Sequence, residues 1–369
     1  MPQVTIKDVA RHAGVSFQTV SLVINHPEKV AKRTREAVES SMRELAFVPS
    51  LAARSLRNIP SKSIACVFST GAQPFDDRTP EVQETYQGFV LQTLAHVCDR
   101  HGYTLVHRQW RSDVPQSLAA VSNLVSESRV DGIIVLADRR DDPLVSILRA
   151  RGSPFVVFGL DIPDVDYVTR ADYSSLKTIV GFLQQTGCQR LAYLFGERKG
   201  YRSPASEARV QGFKDGLRDA GIDASDAILT PCDWTSESGY QETIKVLKGP
   251  KRPDAIVAAN DRAAFGVLKA LHDSGVSVPD EISVVGFDNF LQGRYAIPSL
   301  TSFTMPLHAM VELSFSILVQ KVAQKNAMLP AIQRAFEGRL VLRDSTRRPN
   351  GPLTGDYLIE YSTAMRPEK

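Results

Sequence analysis

The sequence predicts a small all-α head followed by a large α/β body of two parallel-sheet subdomains. Three observations carry this. Up to Leu45 the apolar residues recur at helical spacing. From Ile64 onward short apolar runs alternate with longer amphipathic stretches, which implies parallel sheets covered on both faces. About 270 residues of that alternation is large for one sheet, so two similar subdomains with a cleft between them are expected. Charge is the third. Residues 1–62 hold ten Lys/Arg against five Asp/Glu, and the remainder 34 against 36. The positive excess lies in the head, which suits it to phosphates.

With 43% hydrophobic residues in 369, the chain can bury sizeable cores. It has no apolar run near the length of a membrane span. Its N-terminus lacks the basic start, apolar run and cleavage site of a signal peptide. Cys66, Cys98, Cys188 and Cys232 are far apart and show no CxxC spacing. They read as reduced, packed thiols, and a cytoplasmic protein without a membrane partner is expected.

The head begins with Thr5–Asn25. One helix is expected over Ile6–His12 and a second over Ser16–Ile24, joined by Ala13-Gly14-Val15. Gly14 supplies a backbone angle other residues resist. Thr5-x-x-Asp8 has the shape of a capping box, and Ser16 is a good N-cap. Ile6, Val9, Ala10, Val15, Val20 and Val23 would form the shared core. This is a helix-turn-helix, its second helix shaped for the DNA major groove. A loop at His26–Val30 leads to a third helix over Lys32–Leu45, where Ala31 is a poor cap and Thr34 a substitute. Ser50–Arg57 has helical composition but is too short to hold a helix alone in water. Asn58–Ser61 reads as a linker.

In the body, strands are expected at Ile64–Phe68, Thr104–His107, Gly132–Leu136, Phe155–Phe158, Arg190–Phe195, Ala255–Ala258 and Ser283–Phe287. Amphipathic helices fall between and after them, the last at His308–Gln324. Past Arg343 the pattern stops. The expected organisation is a head at 1–49, a hinge and linker at 50–61, a body at 62–343, and an irregular or disordered tail at 344–369.

Several stretches in this order resemble the lactose-repressor (LacI/GalR) family of bacterial transcription regulators. The head has VTIKDVARHAGVS at 4–16, TVS at 19–21, TRE at 34–36 and FVPSLAARSL at 47–56. The body has VVFG-LD at 156–161, EARVQGF at 207–213, SGY at 238–240, AAND-AAFG at 258–266 and VPDEISVVGFDN at 278–289. The match extends over roughly residues 4–343, and the order of motifs makes it specific. The resemblance implies a periplasmic-binding-protein-like body and a homodimer bound to double-stranded, palindromic operator DNA. It also implies a hinge helix at Ser50–Arg57 that forms only on DNA, with Ala53 and Leu56 at the minor groove and Leu56 wedged between bases. An apolar wedge costs unstacking energy that contacts on the bent DNA offset.

Phe17, Gln18 and Leu22 are the candidates for base readout, on a face shared by positions 17, 18 and 21–22. Gln18 can pair with adenine through two hydrogen bonds, whereas Phe17 and Leu22 can offer only apolar contact, best to a thymine methyl. Many relatives carry Arg where this chain has Leu22, so its operator should differ from theirs. Thr5, Ser16, Thr19, Ser21, Asn25 and Thr34 are candidate phosphate contacts, since small polar groups and helix N-termini serve that role.

Ligands of such sheets sit outside the carboxyl ends of strands. Asp138, Asp161, Asn260-Asp261 and Asp288 fall there, Phe75 and Asp76 follow the first strand, and Arg209 lies early on a helix. Sugar recognition needs planar polar groups and an aromatic face. Arg209, Asn260 and Asp288 fit the first need; Trp234, Phe75 and Phe158 fit the second. The resemblance makes Arg209, Asn260 and Asp288 the strongest ligand candidates and Trp234 the next, and the effector-binding set is Phe75, Asp76, Phe158, Arg209, Trp234, Asn260 and Asp288, for a mono- or disaccharide or a derivative. For Phe158 core packing is the alternative, and for Asp261 helix capping.

The chain lacks GxGxxG after its first strand, GxxxxGK[ST], HExxH and GxSxG, and its seven histidines are scattered. No catalytic residue, cofactor or metal is expected. The sequence thus points to a ligand-controlled repressor, with a co-repressor-dependent regulator or a sugar sensor of weakened DNA specificity as alternatives.

Overall fold

The computed structural model describes residues 4–47, 60–70, 86–111, 114–324, 330–349, 351–354 and 357–360. Ala53, Leu56, Phe75 and Asp76 lie outside the described residues, as does the side chain of Asn25. The chain divides into two compact units, residues 1–61 with Glu127–Val130, and Lys62–Ser126 with residues 131–369.

The head is three helices, α1 (Ile6–His12), α2 (Phe17–Asn25) and α3 (Lys32–Glu44). Its start is fixed by a reciprocal cap. The Asp8 carboxylate accepts from the Thr5 amide at 2.9 Å, and Thr5 Oγ1 accepts from the Asp8 amide at 3.4 Å. Gly14 takes φ +67° in the turn, and Ser16 Oγ caps α2 by accepting from the Thr19 amide at 3.1 Å. Ser16 therefore precedes the helix it was expected to begin. Ala31 supplies no side-chain cap to α3. Val9, Ala10, Val20, Val23 and Val38 close the core, with Ile6, Val15 and Met42 packed against it.

The body holds two sheets. The first has β1 (Ser63–Thr70), β2 (Thr104–Arg111), β3 (Gly132–Leu136), β4 (Phe155–Phe158), β5 (Tyr167–Arg170) and β11 (Gln333–Phe336), in the order β2-β1-β3-β4-β5-β11, all parallel. The second has β6 (Leu191–Gly196), β7 (Ile228–Cys232), β8 (Ala255–Ala258), β9 (Ser283–Phe287), β10 (Thr301–Thr304), β12 (Arg339–Leu342) and β13 (Tyr357–Ile359), in the order β7-β6-β8-β9-β10-β12-β13. Only β10 and β12 run antiparallel. Both orders have a switch point, β1/β3 and β6/β8, where such sheets open a crevice for ligands.

Helices α4 (Tyr86–Arg100), α5 (Pro115–Ser126), α6 (Pro143–Ala150) and α11 (Leu307–Ala323) belong to the first subdomain. Helices α7 (Asp172–Gln185), α8 (Pro204–Asp219), α9 (Ser236–Lys248) and α10 (Asp261–Asp273) belong to the second. The chain crosses between subdomains from β5 to α7, from β10 to α11 and from β11 to β12. The last two crossings touch closely: a Cβ on Gly338 would lie 2.4 Å from the Thr304 carbonyl oxygen. All four cysteines are buried and free, as expected of packed thiols. No described helix is long and apolar enough to cross a membrane.

Residues 344–369 were expected to be an irregular or disordered tail; residues 344–354, where described, have no helix or strand but are held to the second sheet, and residues 357–359 form a strand. Ser345 and Thr346 are buried. Ser345 Oγ donates to the Val284 carbonyl at 2.6 Å, and β13 adds a parallel strand beside β12. This attachment uses backbone and arginine hydrogen bonds more than apolar side chains, so hydropathy does not reveal it.

Helices α9 and α10 pack backbone to backbone through two glycines. A Cβ on Gly239 would stand 2.2 Å from the Ala263 carbonyl oxygen, and one on Gly266 1.9 Å from that of Ser236. Gly266→Ala should therefore destabilise the body by about 2–3 kcal/mol, the cost of forcing a packed interface apart. Urea unfolding followed by circular dichroism reads this, and an unchanged midpoint would contradict the packing described.

Candidate DNA interface and effector cleft

On α2 the residues after the Ser16 cap divide between core and surface. Val20 and Val23 are buried. Phe17 and Leu22 stand 48% and 38% exposed, and Gln18 is exposed with them. The head's core is thus complete without these side chains, and their exposure gives the helix an unusually apolar outer face. Ser21, expected on that face, is only 6% exposed. Helical spacing does not account for this, since residues one and two apart do not share a face. That burial removes it as a phosphate contact.

The other small hydroxyls have local work. Thr5 Oγ1 donates to Asp8 Oδ2 at 2.6 Å, and Ser16 Oγ lies 2.9 Å from Thr19 Oγ1. Ser16 is exposed, whereas Thr19 and Thr34 are half-buried. The first backbone amides of α2 remain the natural anion contact at this surface.

In the body, the carboxyl ends of several strands bring charged groups together. Arg170 ends β5, and two residues later Asp172 opens α7, at the first crossing between subdomains. Arg209 comes from α8 and is buried. One Asp172 oxygen accepts from Arg209 Nε at 2.6 Å and the other from Arg170 Nε at 3.4 Å. Arg209 Nη1 donates to the Ala259 carbonyl at 3.1 Å, and its guanidinium carbon lies 3.5 Å from the centre of the Phe287 ring. The Arg170 guanidinium sits 4.5 Å above the Tyr86 ring, and burial leaves the Tyr86 hydroxyl without a hydrogen-bond partner among the described residues. Burial works against the charge on Arg170, but Asp172, Tyr86 and Asp288 more than offset it, so the guanidinium stays protonated.

Asp288 follows β9 in this cluster. Its backbone has φ +105°, and that of Asn289 has +56°. Consecutive non-glycine residues in this region cost of order 1–3 kcal/mol each and persist only where the surroundings enforce them. The Asp288 carboxylate has no hydrogen-bond partner among the described residues. Burial pushes its pKa up to about 6, against the pull of Arg209 and Arg170. The next carboxylate, Asp261, is fully buried and pushed up to about 8, chiefly by burial, with Asp288 adding to it. Asp261 accepts from Ser302 Oγ at 2.5 Å and from the Phe290 amide at 2.6 Å.

Trp234 has φ +72° and lays its ring on Gly196, where a Cβ would come within 1.8 Å of the indole. Two contacts link the subdomains beside this cluster. The rings of Phe89 on α4 and Phe290 stack at 4.8 Å, and the Tyr201 hydroxyl donates to the Asp138 carbonyl at 2.8 Å.

The structure therefore brings Arg209 and Asp288 together and adds Arg170, Asp172 and Tyr86, which the sequence reading missed. The missed signal was β5. Read as a strand, Tyr167–Arg170 would have placed Arg170 and Asp172 at a carboxyl end like the others. Phe158 is 1% exposed in the core of the first subdomain, so its ring packs and offers no face to a ligand. Asn260 is the cap of α10: its Oδ1 accepts from the Ala263 amide at 2.9 Å, and its Nδ2 donates to the Trp234 carbonyl at 3.2 Å. It positions Trp234, and Asp261 is not the cap. Asp161 is held in a loop ion pair with Arg140 at 2.9 Å. No group of side chains with metal-ligand character occurs among the described residues.

Comparison with known proteins matches residues 5–50 to the model of bacterial regulatory proteins of the lacI family, and residues 180–346 to that of the periplasmic binding protein-like domain. The HTH-type transcriptional repressor PurR of Erwinia tasmaniensis is 32% identical over 332 residues, covering 87% of this chain and 91% of that protein. PurR of Proteus mirabilis is 31% identical over 364 residues, covering 96% and 99%. Among solved structures, the lac repressor dimer bound to operator and the anti-inducer ONPF superposes with a TM-score of 0.80 at 26% identity, covering 94% of this chain and 100% of that one. The transcriptional regulator CelR in complex with cellobiose gives 0.67 at 27%, covering 93% and 100%. With its helix-turn-helix head and two-sheet body, this chain belongs to the lacI family of DNA-binding bacterial transcription regulators.

Proposed function

We propose that the protein is a repressor that binds a palindromic operator as a homodimer and is controlled by a small molecule, a sugar or sugar derivative, held between its subdomains. The observation that carries the DNA half is the outer face of α2, where Phe17, Gln18 and Leu22 stand clear of the core. Gln18 suits adenine, and the two apolar side chains suit thymine methyls. Exposed small hydroxyls and the start of α2 would contact phosphates, and Ala53 and Leu56 would act at the minor groove. Leu291, Tyr295 and Ile297 support the dimer. They are 61%, 78% and 94% exposed in one short segment, apolar side chains that a partner protomer could cover.

The effector half rests on complementary unmet groups. Asp288 offers an acceptor, Arg170 and Tyr86 offer donors, and the Trp234 ring is held at the same strand ends. A hydroxylated ring presents both donors and acceptors and an apolar face, which is what such a set can grip. Phe75 and Asp76 stay candidates from the sequence. The relatives carry the name of repressors, and one structural neighbour was solved with cellobiose. An effector that strengthens DNA binding rather than releasing it is the second reading. The sign of the change in operator affinity decides between them, and linkage requires the effect to be reciprocal.

Leu22→Arg should move base preference toward guanine at one position of each half-site, by about 1–3 kcal/mol of discrimination. Selection from randomised DNA measures this, and an unchanged preference would remove Leu22 from base readout.

Thermal shift with a panel of mono- and disaccharides and of nucleobases should find a compound that stabilises the body. At a hundred times its Kd the gain is about 2.7 kcal/mol. Because burial raises Asp288, the free protein is destabilised by ionising it, a cost absent in acid and present once pH rises past about 6. An effector that donates to the carboxylate relieves that cost. Its affinity should therefore fall about tenfold per pH unit below that point. Asp288→Asn should weaken binding at pH 8 and flatten the pH dependence. A bound compound whose affinity has the same pH profile in this variant would take Asp288 out of the site.

A further inference from the structure

The match to the periplasmic binding protein-like domain ends at residue 346, yet the chain continues and attaches itself to the second sheet. Thr354 donates to Gln185 Oε1 from its amide at 3.1 Å, the Tyr357 ring lies 5.7 Å from that of Phe182, and β13 pairs with β12. The Glu360 amide then donates to the Leu342 carbonyl at 3.0 Å. This fixes the Glu360 side chain beside two arginines. Its carboxylate accepts from Arg343 Nη2 at 2.9 Å and from Arg294 Nη2 at 3.0 Å.

Arg343 is the largest fully buried side chain among the described residues. Besides Glu360, it donates to the Leu300 carbonyl at 2.7 Å and to Asn289 Oδ1 at 2.6 Å. Asn289 is the second residue of the strained turn that presents Asp288, and Arg294 closes the 3-10 turn that follows it. One carboxylate therefore holds both ends of the segment 289–294, directly at Arg294 and through Arg343 at Asn289. A buried guanidinium needs an opposite charge to stay in place, and Glu360 is the carboxylate that contacts it.

We propose that Glu360, carried on the C-terminal strap, is a positioning residue of the effector site: through Arg343 and Arg294 it holds the Asp288–Asn289 turn in the conformation that presents Asp288. The strap is then part of the effector apparatus, although it lies outside the segment that matches the family domain. The proposal rests on reading Asp288 as an effector contact, but its test does not need an effector.

The test is hydrogen exchange of the full chain against Glu360→Ala, Glu360→Gln and a chain ending at Leu353. The reporters are the amides of Asp288, Asn289 and Phe290, which donate to the Phe303 carbonyl, Ser302 Oγ and Asp261 Oδ2. Glu360→Ala and the shortened chain should speed their exchange roughly tenfold, while amides in β1 and β3 keep their protection. Glu360→Gln keeps an acceptor but not the charge, so it should restore part of the protection lost in Glu360→Ala, with β1 and β3 again unchanged. Unchanged exchange at 288–290 in the shortened chain overturns the proposal. Loosening in the shortened chain but not in Glu360→Ala overturns the assignment to Glu360. If the turn loosens as expected but Asp288→Asn leaves binding in the thermal-shift panel untouched, it is the effector reading that fails.

Discussion

The body is organised around a single shared carboxylate. Asp172 lies at the first crossing between subdomains and accepts from Arg209 in the second and Arg170 at the end of β5 in the first. Breaking a buried pair by removing one partner costs about 3–5 kcal/mol, because the other charge is left stranded. Two guanidiniums on one carboxylate fix the geometry of both subdomains at the mouth of the crevice. They also leave donors on Arg170, and they leave the Asp288 carboxylate between two cations with no hydrogen bond among the described residues. A site built this way stores unmet polar capacity, which a ligand of matching chemistry can satisfy.

The same logic explains the backbone around it. Trp234, Asp288 and Asn289 all adopt positive φ without being glycine. Each is held by neighbours: Trp234 by the Asn260 amide, Asn289 by Ser302 and Arg343, Asp288 by the Phe303 carbonyl. Local strain at a ligand site persists where packing over-determines it. Close glycine contacts do the rest. Gly196 admits the indole, and Gly239 and Gly266 let α9 and α10 meet backbone to backbone.

Much of this was legible in the sequence. The head's caps, turn and core could be placed from Thr5, Gly14, Ser16 and the valines, because helix termini and helical spacing leave local signals. Seven strands showed as apolar runs, but the buried β10 and β12 did not. What escaped was non-local or polar. β5 and β11 are short and mixed in polarity, and β7 carries Pro231 on an edge, where a missing donor is tolerated. With β5 unread, Arg170 and Asp172 had no place in the site. Phe158 and Asn260 were assigned by residue type and by their place at strand ends, and packing gave one to the core and the other to a helix cap. The strap escaped because its anchors, Glu360 to Arg343 and Arg294, are polar contacts 17 and 66 residues apart in sequence.

The central claim is that operator DNA and the crevice are coupled. Linkage makes this measurable without knowing the effector: if an effector alters DNA affinity, operator binding must alter the crevice. Hydrogen exchange at Asp172, Trp234 and Asp288, with and without a selected operator duplex, reads it directly. The account predicts a change in exchange at these positions with operator and none with a scrambled duplex of equal length and charge. Identical exchange at the three positions with saturating operator would contradict it.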